Sequence, residues 1–219
     1  MTTEIDHNKL LKKIAKARLK PFGIFQKSQS RIFLHDKGWY TTVIEFQPSK
    51  WSKGTFLNIG VDLNLYPRDY FSFGHGYREK GFEEFTDEKQ FEDLVNGLCD
   101  LTIKRVQELD NIFIDVWAAT TLKEKENSDD PWQLYNLALL NILSKNFDRA
   151  GQQLDKLVSK KCEHDFEFKR RQLASEILSW LKDENTLQEK IKNLINETRK
   201  LKKLPVATLE DLGVRKNNA

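Results

Sequence analysis

Between residues 57 and 65, apolar side chains alternate strictly with polar or small ones. The apolar positions are Leu57, Ile59, Val61, Leu63 and Leu65, and the positions between them are Asn58, Gly60, Asp62 and Asn64. A period of two is typical of a β-strand with one buried face, because successive side chains point to opposite sides of a sheet. This segment therefore predicts a strand that needs both a partner strand and a layer covering its apolar face.

Two segments upstream show a similar alternation and predict two further strands. Their shared faces are formed by Tyr40, Thr42, Ile44 and Phe46 in one segment and by Ile32 and Leu34 in the other. Asp36-Lys37-Gly38 predicts a tight turn between them, and Pro48–Gly54 predicts a longer loop with Trp51 at its tip. Residues 71–78 are a candidate fourth strand, with an exposed aromatic loop as the alternative because two glycines interrupt the segment.

Amphipathic helices flank these strands. The spacing of apolar residues predicts helices over about 6–19, from Thr86 to beyond Leu109, and over 112–121, where we favour a helix over a short strand. The chain after residue 131 predicts only helices, beginning with a hairpin that turns at residues 144–146. The sequence as a whole predicts an α+β protein with an antiparallel three- or four-stranded sheet packed by helices, followed by an all-helical C-terminal extension.

A polar segment divides the chain. Residues 123–130 contain no apolar side chain and are followed by Pro131, a composition that predicts a linker. The predicted organisation is a sheet domain over 1–122, a linker over 123–131, a helical hairpin extension over 132–205 and a tail over 206–219 with one short helix at 209–212.

The composition predicts a soluble chain that folds without disulfide bonds or a structural metal. The hydrophobic content of 39% is enough for a core, and Cys99 and Cys162 lie far apart, which favours two reduced thiols over a disulfide. The longest apolar runs fall far short of the roughly 20 residues that cross a bilayer, and the N-terminus shows no secretory pattern. We expect a cytoplasmic protein with no membrane partner.

Charge is unevenly distributed along the chain. Residues 1–54 carry 11 basic and 4 acidic side chains, residues 55–130 carry 8 and 17, and residues 131–219 carry 17 and 12. The basic N-terminal segment and the acidic middle segment attract one another and leave only a weak net electrostatic field. This argues against a dedicated nucleic-acid binder. A weak nucleic-acid contact through the basic first helix stays open as an alternative, carried by Lys9, Lys12, Lys13 and Lys16.

The N-terminal half resembles a bacterial family of domains of unknown function (DUF4304-like), over about residues 8–120. The resemblance rests on Leu19–Gly23, Phe46–Trp51 and Phe56–Val61, whereas Ile24 departs from the family pattern, which more often has phenylalanine there. It implies an α+β domain from a bacterium, and it implies no catalytic residues because the family has no established activity. Separately, residues 132–159 resemble one tetratricopeptide-like helical hairpin.

The polar face of the predicted sheet is the first candidate site. It is expected to lie in water opposite the apolar stripe, with two tryptophans beside it, and it is made of Trp39, Trp51, Glu45, Gln47, Asn58, Asp62 and Asn64. An antiparallel sheet often leaves one face solvated, so this face is either plain surface or a binding site for another protein. Exposed tryptophan beside charge favours the second, because such residues anchor interfaces. The alternative is that either tryptophan is a core residue, which fits Trp39 at least as well because it begins a strand.

The second candidate site is the loop that contains His75, Tyr77 and Arg78. Glycines flank the histidine, so the loop is able to present an imidazole and a guanidinium to an anionic ligand, although turn chemistry alone also explains the glycines. Cys162-Glu163-His164-Asp165 has metal-capable residue types but lacks the second cluster that a closed zinc site requires. We therefore predict no metal, no cofactor and no catalytic residue.

These observations favour a non-enzymatic protein that binds an unidentified protein partner. A role in immunity to a toxin or as a defence-associated adaptor would suit such a protein. The alternatives are a small-ligand binder or hydrolase-like enzyme that uses the His75 loop, and the nucleic-acid contact through the first helix. The sequence leaves the partner, the oligomeric state and the course of residues 66–85 open.

Overall fold

The computed structural model describes residues 6–208 and Asp211, apart from the side chains of Glu184 and Asn185. The chain forms two compact units: the first comprises Met1–Leu63 and Tyr70–Asn111, and the second comprises Asn64–Asp69 and Ile112–Ala219. The predicted α+β class is confirmed, because an antiparallel sheet is combined with helices that follow it in the chain. The predicted tail helix at 209–212 lies almost entirely outside the described residues.

The sheet has five strands, more than predicted. They are β1 (Phe25–Gln26), β2 (Ile32–Asp36), β3 (Tyr40–Gln47), β4 (Gly54–Leu63) and β5 (Arg78–Glu84), and they lie side by side in that order, each antiparallel to its neighbour. The three predicted strands and the two turns between them are confirmed. Of the two alternatives for residues 71–78, the structure has the loop: residues 71–77 are irregular except for one bridge between His75 and Val61, and β5 begins only at Arg78.

Two helices complete the first unit. They are α1 (His7–Leu19), which Asp6 caps through its side chain, and α2 (Glu88–Ile112). Asp110 in α2 accepts hydrogen bonds from His35 and Tyr40. Both of these side chains belong to the face of the sheet that also carries Ile44 and Ile59, so α2 lies over the apolar stripe. The alternation in the sequence thus identified the core face of β3 and β4. In β2 the predicted face was wrong, because Phe33 and His35 face α2 whereas Ile32 and Leu34 share the opposite side with Glu45.

The opposite face of the sheet is covered where the sequence predicted water. Asn58 is 1% exposed and Asp62 is 0% exposed. The covering segment belongs to the loop before β5: Ser72 Oγ donates to Asp62 Oδ1 at 3.1 Å, and the ring of Phe73 lies against Gly60. The prediction of a fully solvated polar face is therefore wrong, because aromatic loop residues fold back over it.

Gly60 is the position where this loop approaches the sheet most closely. A Cβ added there would lie 2.8 Å from the His75 carbonyl oxygen and 2.8 Å from Phe73 Cδ1. A glycine inside a strand often marks a bulge or a close backbone approach. At Gly60 it is the loop before β5 that makes the approach.

The second unit contains five of the seven α-helices within the described residues. They are α3 (Val116–Glu126), α4 (Pro131–Leu143), α5 (Phe147–Val158), α6 (Asp165–Trp180) and α7 (Glu184–Leu201). The predicted hairpin with its turn at 144–146 is confirmed as α4 and α5, while its likeness to a tetratricopeptide repeat stays a prediction. In the described part of the chain, no helix is both long and apolar enough to cross a membrane.

The predicted linker is mostly helix. Residues 123–126 form the last turn of α3, which ends at Asn127 in a left-handed conformation, and Asp130 caps α4 by accepting from the backbone of Trp132 and Gln133. Only residues 127–130 connect the two helices. The polar composition of this segment reflects an exposed helix end and two caps, since Asn and Asp favour these positions.

The segment 64–69 belongs to the helical unit although it directly follows β4. Tyr135 in α4 is fully buried and donates its hydroxyl to the Leu65 carbonyl at 2.9 Å. Lys202, also buried, donates to Asn64 Oδ1 at 3.0 Å. The ring of Tyr66 meets Trp132 edge-on at 4.8 Å. These contacts anchor the short segment to α4 and to the residue that directly follows α7.

Candidate functional site

Three of the polar residues predicted on the sheet meet in one hydrogen-bonded ladder. Asn58 in β4 lies opposite Glu45 in β3, and its Nδ2 donates to Glu45 Oε2 at 2.8 Å and to Gln47 Oε1 at 3.0 Å. Glu45 and Gln47 are half-buried. Asn58 Oδ1 is buried and has no hydrogen-bond partner among the described residues. The ladder places a carboxylate and an amide side by side at one end of the sheet.

Arg78 extends this ladder to the edge strand. Its Nη2 donates to Gln47 Oε1 at 3.1 Å, and its guanidinium lies 4.2 Å from the ring centroid of Phe56 and 5.4 Å from that of Tyr77. Stacking on aromatic faces and the hydrogen bond together restrict the orientation of this exposed guanidinium. The sequence placed Gln47 and Arg78 in two different candidate sites, and the structure brings them together.

Trp51 is the most exposed large side chain of the described residues, at 92%. It lies in the loop that rejoins the sheet at Gly54. Gly54 precedes Asn58 by four residues, which is about 13 Å along β4. The loop is tied to the end of β5 by the hydrogen bond from Phe85 N to Lys53 O, at 2.9 Å. The loop of Trp51 therefore begins beside the ladder, directly after Gln47, and ends at Gly54, which pairs with Glu84 at the other end of β5 from Arg78.

We name this region the Arg78 surface. It consists of the exposed residues Trp51, Tyr77 and Arg78, together with Gln47 and Phe56, which contact the guanidinium. Tyr77 and Arg78 lie next to each other at the start of β5, and Trp51 lies in the loop that follows Gln47, the residue that accepts a hydrogen bond from Arg78.

Three other predicted partner-binding residues lie elsewhere. Trp39 is 4% exposed and packs edge-on against Tyr40 at 4.7 Å, so it is a core residue rather than a surface anchor. Asp62 is buried beneath Ser72, and Asn64 is buried against Lys202. The alternation of residues correctly placed Asp62 on the polar side of the strand, but it held no information about the loop that covers it.

The His75 loop is the other predicted site. The backbone of His75 pairs with Val61, whose N–H donates to the His75 carbonyl at 2.8 Å. Tyr77 packs edge-on against Phe73 with ring centroids 5.5 Å apart. Arg78, the third member, is engaged by Gln47 and Phe56. A ligand-binding or catalytic role for this loop stays a prediction, as does nucleic-acid binding by α1.

A second polar cluster was not predicted from the sequence. Asp110 accepts hydrogen bonds from His35 Nε2 at 3.0 Å, from Lys37 Nζ at 3.0 Å and from the Tyr40 hydroxyl at 3.1 Å. The other ring nitrogen of His35 lies 3.2 Å from the Gly23 carbonyl. Both partners of the imidazole are acceptors, so both bonds form only when each nitrogen carries a proton. The cluster holds the end of α2 to the β2–β3 hairpin.

The electrostatics of this cluster stabilise a charged carboxylate. Burial opposes ionisation, but hydrogen bonds from His35 and Lys37 outweigh it and lower the pKa of Asp110. Burial and the nearby Asp110 raise the pKa of Tyr40, which stays a neutral donor. No local pattern reveals this cluster, because the partners of Asp110 lie at least 70 residues away in sequence.

The metal-capable segment near Cys162 serves as a helix start. Glu167 in α6 accepts from the backbone N–H groups of Glu163 and His164 at 2.7 Å and 3.0 Å, and the His164 ring stacks on Phe166. Among the described residues, no group of three or more His, Cys, Asp or Glu side chains is arranged to hold a metal ion.

Together these features define an α+β protein with a five-stranded antiparallel sheet, a helical second unit and an aromatic–guanidinium surface on the sheet. No family model, curated protein or solved structure matches the chain. The resemblance to a bacterial domain of unknown function therefore stays a prediction.

Proposed function

We propose that this protein is a non-enzymatic protein-binding module whose partner docks on the Arg78 surface. The observation that carries the proposal is the joint exposure of Trp51, Tyr77 and Arg78. Tryptophan, tyrosine and arginine are the residue types most enriched among the side chains that dominate binding energy at protein interfaces. A lone exposed aromatic is ordinary on a protein surface, but an adjacent exposed tyrosine and arginine, with an exposed tryptophan in the loop that begins after Gln47, form a candidate interface centre.

The restraint on Arg78 supports the same proposal. Its stacking on Phe56 and its bond to Gln47 limit the rotamers open to the free side chain. An arginine that is ordered before binding loses less conformational entropy on binding. Its planar guanidinium also suits a carboxylate on the partner, because the two groups form paired hydrogen bonds. We expect a partner with an acidic side chain opposite Arg78 and an apolar pocket for Trp51.

The test is affinity capture from lysate of the source organism, read by quantitative mass spectrometry. The wild type is compared with Trp51→Ala and Arg78→Ala. Trp117→Ala is the matched control, since Trp117 is also exposed, at 60%, but lies in α3. We expect one protein to be recovered with the wild type and the control and to be lost with the other two variants, because a hot-spot truncation costs about 2 kcal/mol or more.

Circular dichroism should show that all three variants remain folded, since each changes an exposed side chain. Recovery of the same partner in equal amount with Trp51→Ala would contradict the proposed surface. Recovery of no protein with the wild type would contradict the proposed function itself.

A further inference from the structure

A groove in the helical unit has features of a binding site separate from the Arg78 surface. It lies between the end of α3, the connection 127–129, and α5, and Leu134 and Leu137 of α4 form its apolar floor. Its volume is about 420 Å³, and ligand sites commonly occupy roughly 300–1,000 Å³. We call it the α5 groove.

One polar stripe of α5 faces this groove. Arg149, Gln152, Gln153 and Lys156 all line it, and their spacing of three, four and seven residues places them on one side of a helix. The apolar stripe of α5 is already used, because Ala150, Leu154 and Leu157 are buried. The polar stripe is therefore a second face of the helix that core packing does not require.

Opposite charges face each other across the groove. Arg149 pairs with Glu124 at the end of α3, and Lys156 pairs with Asp129 in the connection. The hydrogen bond from Lys156 lowers the pKa of Asp129. The Lys156–Asp129 pair is exposed and the Arg149–Glu124 pair is partly exposed, and exposed pairs stabilise a fold by only about 0–1 kcal/mol. A ligand that offers its own charges can replace them at little cost to the fold.

The arrangement specifies the chemistry of the ligand. An acidic ligand would leave Glu124 and Asp129 unpaired, and a basic ligand would do the same to Arg149 and Lys156. A ligand that carries both positive and negative charges can pair with the cations of α5 and also with Glu124 and Asp129. Arg149 and Lys156 are seven residues apart, or about 10 Å along the helix axis, which is close to the roughly 9 Å between residues three apart on one side of a polyproline II chain.

We infer that the α5 groove binds an extended peptide segment of mixed charge, with acidic side chains three residues apart facing α5 and a basic side chain facing α3. The amides of Gln152 and Gln153 lie between the two cations and suit the main chain of such a peptide. Gln153 is already oriented, because Asn141 Nδ2 donates to its Oε1 at 3.1 Å.

The test begins with a random dodecapeptide phage library selected on the full chain. The most enriched peptide is then synthesised with a fluorescent label, and its dissociation constant is measured by fluorescence polarisation. We expect enriched peptides to carry both charge signs with acidic residues three apart. We also expect the double variant Arg149→Gln/Lys156→Gln to bind about tenfold more weakly or worse, because charge-assisted hydrogen bonds are lost.

Two controls separate the outcomes. Lys169→Gln removes an exposed cation from α6, outside the groove, and should leave the affinity unchanged. Trp51→Ala should also leave it unchanged, so this inference and the proposed function can fail independently. The inference is overturned if no peptide is enriched, if the enriched peptides lack one charge sign, or if the double variant binds as tightly as the wild type.

Discussion

The two units of this protein are held together in opposite ways. In the first unit, polar contacts link residues that are far apart in the sequence. The hydrogen bond between His35 and Asp110 joins the sheet to α2 across 75 residues, and the one between Arg18 and Asp100 joins α1 to α2 across 82 residues. In the second unit, each helix from α3 to α7 packs against the next one in the chain. In the second unit, the short segment 64–69 makes contacts with distant residues through Tyr135 and Lys202.

This difference bears on how each unit responds to change. Contacts between distant residues close large loops and form together, so a unit built from them tends to open as a whole. A row of consecutive helices can open locally from one end. We therefore expect single substitutions at the long-range contacts of the first unit to lower the hydrogen-exchange protection of its whole sheet. Substitutions among the helices of the second unit should lower protection only locally.

The largest expected effect is at Gly60. A Cβ there would meet the His75 carbonyl and the Phe73 ring at 2.8 Å, and a backbone oxygen cannot move aside cheaply. We expect Gly60→Ala to lower the free energy of unfolding by about 3 kcal/mol, at the upper end for overpacking. The measurement is urea denaturation together with hydrogen exchange on peptides of the sheet.

Gly81→Ala is the matched control for that change. Gly81 also lies in the sheet, but a Cβ there would have no neighbour within 4 Å. It should leave the free energy of unfolding nearly unchanged. If the two variants are equally stable, residues 73–76 do not cover the sheet as described.

The next effect is at Asp110. Asp110→Asn removes the charged acceptor shared by His35, Lys37 and Tyr40, and we expect a loss of about 2 kcal/mol at pH 7. Hydrogen exchange should show the loss across β2 and β3 as well as in α2. A loss of protection confined to the last turn of α2 would contradict the idea that this cluster ties the unit together.

The same carboxylate predicts a dependence on pH. The pKa of Asp110 is lowered in the folded chain from its ordinary value of 3.8. A lowered folded pKa contributes stability that is present above the unfolded pKa and is lost as pH falls through the folded value. The gap in stability between the wild type and Asp110→Asn should therefore narrow below about pH 4, as followed by urea denaturation from pH 7 to pH 3.

A smaller effect is expected at Tyr135 in the helical unit. Tyr135→Phe keeps the buried ring but removes the hydrogen bond to the Leu65 carbonyl, and it should lower the free energy of unfolding by about 1 kcal/mol. In hydrogen exchange, the loss of protection should be largest in residues 64–69 and α4. A loss spread evenly over α3–α7 would show that this unit also opens as a whole, and the comparison between the units would fail.

The smallest effect concerns the thiols and requires no change in stability. Burial raises the pKa of Cys99 in the first unit to about 12, whereas Cys162 in the second is partly exposed. Iodoacetamide at pH 8 should modify Cys162 in the native chain and modify Cys99 only after unfolding, because the thiolate is the reactive form. Peptide mass spectrometry after timed labelling would show this order. Equal labelling rates would mean that the first unit opens readily around Cys99.

Local patterns were enough to predict much of the fold. The period of two along Leu57–Leu65 and Tyr40–Phe46 placed two strands with the correct face inward, and the apolar spacing around Leu137 and Leu154 placed the helical hairpin. These predictions succeeded because periodicity follows from backbone geometry, which neighbouring residues determine together. The pattern failed at 123–126, where a polar helix end has the same composition as a linker.

The candidate site was predicted only in part. Glu45, Gln47 and Asn58 were placed on one face, since alternation and strand pairing bring them together. Their link to Arg78 depends on the register between β4 and β5, which contains irregularities. That register has no signature in the neighbouring residues, and the position of Trp39 at the start of a strand was compatible with both a core and a surface role.

The sequence by itself determined the α+β class, the central three strands, the turns between them and most of the helices, because each depends on residues close together in the chain. The tertiary structure alone decided that an aromatic loop covers the polar face, that Asp110 collects three donors, that residues 64–69 join the helical unit, and that α5 faces a charged groove. Each of these depends on where distant segments meet, and the path of the whole chain sets those meeting points.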